Sequence, residues 1–134
     1  MRELTVAGLT GSALLVLALI VFGAGDRETV VPAPEAVAES LLRQLAANRP
    51  SQTKQYLSTR ARQMYPPGAL ASWFAKAERE AGDVRTINGK DAAFDRNQAR
   101  ATVVIEGRRR ILPVRMVLVR EQGLWYVERL IDFR

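Results

Sequence analysis

Arg108, Arg109 and Arg110 stand in one run, with Arg115 and Arg120 further along, and they form the densest group in this 134-residue sequence that could do chemistry. A guanidinium is always charged and offers forked donors, so three at one turn can grip phosphate or carboxylate groups. A cluster of this kind at a hairpin tip also keeps the tip soluble and discourages pairing with another strand. Arg108, Arg109, Arg110 and Arg115 are therefore the candidate contacts for an anion or a lipid headgroup. Around them the composition excludes a great deal. Histidine and cysteine are both absent, which removes imidazole acid/base work, the usual nucleophilic triads, thiolate chemistry and structural zinc. No carboxylates stand at ligand spacing, so no catalytic residue, metal site or cofactor is expected. Asp91 and Asp95 fall near short strands and turns, and Tyr56 and Tyr65 on or beside a helix. Solvated turn carboxylates and packed phenols are the simpler readings of these four.

The elements that must position the arginines divide into a helical half and a strand half. The first helix is predicted from about Pro34 to Asn48, with Val37, Ala38, Leu41, Leu42 and Leu45 on one face. A second begins near Pro50-Ser51, presents Tyr56, Leu57, Ala61 and Met64, and stops at Pro66-Pro67. A third runs from about Gly68 to Ala81, with Leu70, Trp73, Phe74 and Ala77 at helical spacing and Gly82 as its C-terminal cap. Beyond Gly82 the period becomes alternating. Val84 to Ile87 and Ala92 to Phe94 read as short strands broken by an Asn88-Gly89 turn. Strands around Ala101 to Ile105, Arg109 to Arg120 and Leu124 to Phe133 follow, with turns near Gly107-Arg108 and Glu121-Gln122-Gly123.

Leu112, Val114, Met116 and Leu118 form the clean apolar face of the long strand and should meet the helices. Ile111, Val117 and Val119 then point the other way, beside Val104 on the neighbouring strand and flanked by arginines. An apolar patch with a basic rim suits a protein contact surface, so Val104, Ile111, Val117 and Val119 are the candidate interface. In the last strand both alternating sets are mixed, and the pattern does not say which one faces the helices. Helices first and an antiparallel meander second specify an α+β fold with helices packed on a curved sheet.

Before this domain, Leu4 to Gly25 carries no charge. As a helix it would extend about 33 Å, enough to cross a hydrocarbon core of ~30 Å. Residues 1–25 are therefore read as a transmembrane anchor, 26–33 as a short polar tether and 34–134 as one domain. The rival reading is a cleaved secretory signal, with Gly23 and Gly25 placed for cleavage. The flanking charges put the domain outside the cytoplasm, on a single-pass protein of the cytoplasmic membrane. The chain carries a net charge of +6, and removing the residues before Pro34 takes away two arginines and three acids, which leaves the domain at +7. In that setting lipid headgroups or an acidic partner are the expected counterparts, not nucleic acid.

The stretch AVAESLLRQLAANRPSQTKQYLSTRARQMYPPGALASWFAKAE, followed by strands ending in VLVREQGLWYVERL, resembles the nuclear-transport-factor-2-like, cone-shaped superfamily. It is similar in particular to small bacterial members held in the membrane by an anchor or a lipid and of unknown function. The resemblance rests on the Leu-Ser-x-x-Ala-Arg bend at Leu57 to Arg62, the prolines before the third helix, and Gly-x-Trp-x-Val at Gly123 to Val127. It implies a cone with a pocket between helices and sheet, used by some members as an isomerase site and by many only for binding. The acidic catalytic set of the isomerase-like members has no counterpart here. The expectation is a non-enzymatic, membrane-anchored interaction module, an accessory or scaffold subunit of a bacterial membrane assembly. Its partners would be lipid through residues 4–25, other membrane subunits, or a second copy of the chain. The alternative is a small-molecule-binding or isomerase-like protein using the cone pocket.

Overall fold

In the computed structural model the described residues are 31–131. The uncharged run from Leu4 to Gly25, the tether up to Val30 and the last three residues lie outside them. Among the described residues no helix is long and apolar enough to cross a membrane.

Helix α1 (Pro34–Ala46) opens on proline and buries Val37, Ala38, Leu41, Leu42 and Leu45, the stripe its spacing predicts. The single helix expected from Pro50 onward is instead two pieces, a 3-10 helix (Pro50–Tyr56) and α2 (Thr59–Met64). The break has a local cause and a distant one. Ser58 takes an extended conformation as N-cap and its hydroxyl accepts from the Ala61 N–H at 3.0 Å. Leu57, also extended, pairs with Val127, and the Ser58 N–H donates to the Val127 carbonyl at 2.9 Å. Helix α3 (Pro67–Ala81) follows and ends on Gly82 in the left-handed region (φ 76°), as a C-terminal cap requires.

Four strands form an antiparallel meander in the order β1-β2-β3-β4: β1 (Val84–Asp95), β2 (Gln98–Gly107), β3 (Ile111–Glu121) and β4 (Leu124–Leu130). The expected break at Asn88-Gly89 is absent, and β1 is one twelve-residue strand with irregular register at Val84/Thr86 and Gly89/Asp91. Gly89 serves close approach rather than a turn. A Cβ there would lie 2.8 Å from the Glu35 carbonyl oxygen of α1. The reversal comes at Arg96-Asn97, with Arg96 at φ 60°. Such bulges bend a sheet, which lets its inner face wrap the helices.

Leu112, Val114, Met116 and Leu118 do face the helices, opposite Ile105, Val103, Ala101 and Ala99 of β2. On β4 the pairing steps from Val117↔Arg129 to Leu118↔Val127, so Glu128 is the extra residue of a bulge. That insertion moves the inward set from Trp125 and Val127 to Leu130, which is why the alternation looked mixed. The strand runs Leu124–Leu130 and Ile131 is a turn residue; the rest of the expected strand, up to Phe133, lies outside the described residues.

Both outer strands are engaged along their edges. On β1 the Gly89 N–H donates to Glu39 Oε1 at 2.7 Å and the Ile87 carbonyl accepts from Arg43 at 2.6 Å. Glu39 and Arg43 are themselves paired at 2.7 Å, one turn apart on α1. On β4 the Leu57-Ser58 segment lies against Val127.

Candidate functional site

The face of the sheet that meets the helices is the natural place for a pocket, and large side chains fill its middle. Leu41, Leu42, Leu57, Leu70, Val103, Ile105, Met116, Leu118 and Val127 are large and wholly buried, packed into one apolar cluster. Among the described residues Gln44 Oε1 is buried without a hydrogen-bond partner, while the other polar groups at the margin are bonded. Ser58, fully buried, donates to Glu128 Oε1 at 2.6 Å, and Arg60 approaches the other carboxylate oxygen at 3.5 Å. The Tyr65 hydroxyl accepts from the Leu130 N–H at 3.2 Å, and Tyr56 packs half-buried against the core. Asp91 and Asp95 are exposed on β1. Among the described residues no group of three or more carboxylates stands where it could hold a metal ion. A groove of about 310 Å³ between α3 and β3, lined by Trp73, Lys76, Ala77, Glu80, Leu112 and Val114, lies open to solvent.

The arginine run occupies the β2–β3 hairpin and folds back on the end of α3. The Arg109 and Arg110 N–H groups both donate to the Ala81 carbonyl, at 2.8 and 3.2 Å, and the Arg108 N–H donates to the Gly82 carbonyl at 2.9 Å. The side chains follow. Arg109 donates to the Arg79 carbonyl at 2.8 Å, Arg110 pairs with Glu80 at 2.9 Å, and Arg108 stands 3.9 Å from Asp83. The hairpin thus supplies donors and positive charge to the last carbonyls of a helix, where the dipole is negative. Gly107 permits the contact, since a Cβ on it would strike the Ala81 backbone carbonyl and lie 2.6 Å from the Ala81 Cβ. All three arginines remain exposed at their outer surfaces. Arg115 is not with them. It sits on the open face of β3, paired in register with Thr102.

The open face carries the other candidates. Val104 and Val119 are half-buried there and Ile111 is 64% exposed. Val117 corrects the expectation of an exposed contact: it points to this side yet is only 2% exposed. Its partners across the two neighbouring strands are Arg100 and Arg129, and stems of that length can cover a valine. Alternation gives the direction of Val117 and says nothing of what lies over it. What the spacing missed is that Arg100, Arg115 and Arg129, from three strands, surround this one position. Register alone brings them together, and no sequence signal links them.

A solved structure from Campylobacter jejuni, provisionally named an NTF2-like transpeptidase, aligns with 72% of this chain and 98% of that one, with a TM-score of 0.56 and 13% identity. This chain has the NTF2-like fold. The resemblance read from the helix bend and the last strand thus holds for the architecture. No protein-family model matches the sequence, and no curated protein matches it. Within the NTF2-like domain the middle of the helix–sheet interface is packed, so its accessible features are the open sheet face, the groove between α3 and β3, the hairpin on α3 and the far end of the sheet.

Proposed function

We propose that this chain is a non-enzymatic, membrane-anchored interaction module, an accessory or scaffold subunit of a membrane assembly, with the open face of the sheet as its contact surface. The observation that supports the reading is the packed centre of the domain: large apolar side chains fill the middle of the helix–sheet interface, and the space left there is a groove open to solvent between α3 and β3. The open face supplies what an interface core and rim need. Val104, Val119 and Ile111 lie among Arg100, Arg115 and Arg129, and arginine is enriched where proteins meet. The anchor is the uncharged run from Leu4 to Gly25, and the partner would be an acidic membrane subunit on the outer side of the cytoplasmic membrane. An isomerase-like reading would need an acidic group facing an open cavity. Glu80 lines the open groove but is paired with Arg110 at 2.9 Å, and Glu128, the more buried of the two, accepts from Ser58 and Arg60.

The test is the size of the assembly extracted in mild detergent. Replacing both Val104 and Val119 by aspartate should release the chain from a larger complex while its melting temperature stays near that of the wild type, because the charges would enter an interface and not the core. A double variant that still travels in the same complex refutes the sheet face as the working surface.

A further inference from the structure

Among the described residues five large apolar side chains are markedly exposed: Val31, Met64, Phe94, Ile111 and Leu124. Two of them, Phe94 at 63% and Leu124 at 42% exposure, lie at one end of the sheet, where the β1–β2 and β3–β4 turns meet. Phe94 lies on the helix-facing side with Trp125, and Leu124 on the open side, so both faces of this end carry an exposed apolar group. The Phe94 ring lies 5.8 Å from that of Trp125, over the small partner Ala99, and the Arg120 guanidinium sits 5.0 Å from the Trp125 ring. Arg96 occupies the β1–β2 turn beside them. Exposed aromatic and aliphatic groups mixed with arginines whose stems are apolar suit a headgroup layer. Asp95 and Glu121 offset part of the charge here, so the character of this end is apolar first and basic second.

Helix α1 is entered from the same direction. Its Glu35 backbone lies at Gly89 and its Arg43 reaches Ile87, so its N-terminus points along β1 toward Phe94, and the exposed Val31 precedes it. The tether of residues 26–33 extends at most roughly 28 Å at ~3.5 Å per residue. The opposite end of the sheet, with Arg108 to Arg110, is a further strand length away, roughly 33 Å along β2 at ~3.3 Å per residue.

We propose that the sheet end bearing Phe94, Trp125 and Leu124 rests on the lipid surface, with Phe94 entering the headgroup layer and Arg96 and Arg120 facing anionic headgroups. This rests on the reading of Leu4 to Gly25 as an anchor. It moves the lipid contact from the arginine hairpin, which is committed to α3, to the other end of the sheet and leaves the open face free for a partner.

The chain has no cysteine, so single labels are unambiguous. The full chain carrying Asn97→Cys or Arg108→Cys, each with a fluorescent label, is reconstituted in vesicles of phosphatidylcholine and phosphatidylglycerol brominated near the headgroup. The label at position 97 should be quenched several-fold more than the label at 108. Phe94→Ser, with Phe94→Leu as the conservative control, should bring the quenching at 97 down toward the level at 108, and the leucine should restore most of it. Equal quenching at the two ends, or stronger quenching at 108, overturns the proposal while the anchor stands. A chain that does not float with the vesicles removes the anchor and the proposal together.

Discussion

Gly107→Ala tests whether the arginine hairpin is a helix cap. The added methyl would strike the Ala81 carbonyl and lie 2.6 Å from the Ala81 Cβ, both fixed by α3 and neither the end of a flexible side chain. Either β2 or the end of α3 must then move. Overpacking of this kind costs about 1–3 kcal/mol. The shift also strains the two bonds that the Arg109 and Arg110 N–H groups make to Ala81, each worth about 1 kcal/mol net. A loss of about 3 kcal/mol is expected, and at roughly 4–8 °C per kcal/mol for a domain of this size the melting point should fall by roughly 12–24 °C. The assay is thermal unfolding of the full chain in detergent, followed by tryptophan fluorescence. Gly68→Ala is the control, since a Cβ at Gly68 meets nothing within 4 Å and the site is helical. It should raise stability by roughly 0.5 kcal/mol. If Gly107→Ala melts with the wild type, the hairpin is not seated on α3 as described, and the arginines regain their standing as a free anion site.

Ser58→Ala should cost about 2–4 kcal/mol, because it removes both the α2 cap and a bond to the Glu128 carboxylate, and urea unfolding would measure it. Met116→Asp should abolish folding, as it sets a charge in the middle of the apolar cluster. Val117→Asp should cost far less, since its carboxylate would lie in a row with Arg100 and Arg129. Near-UV circular dichroism of the two variants decides, and the reverse order would mean that the strand register is inverted.

What the sequence made legible was local. The stripe on α1, the alternation from Leu112 to Leu118 and the cap at Gly82 each depend on neighbours within one element, and each is present as spaced. What it hid depends on distant contact. Asn88-Gly89 is a strong turn signal on its own, but α1 packs so closely there that only glycine fits, and the strand runs through. Ser58 interrupts a helix because Leu57 has a partner seventy positions away in β4. Glu128 looks like any alternating residue until its bulge is seen. The arginines at 108–110 read as a free cluster because nothing near them in sequence announces the helix end, some thirty positions earlier, on which they close.

The Glu39–Arg43 pair has a consequence for how this domain can be joined. An edge strand offers its unpaired N–H and C=O groups to any extended peptide, a common way for proteins to recruit partners and to aggregate. Here a carboxylate already occupies the donor of Gly89 and a guanidinium the acceptor of Ile87, at the centre of β1, while the Leu57-Ser58 segment takes up β4 at Val127. Strand addition at either margin would first have to displace a bonded group. Glu39→Ala, which frees the Gly89 donor, is therefore expected to open the β1 edge to added strands and to raise the tendency to aggregate.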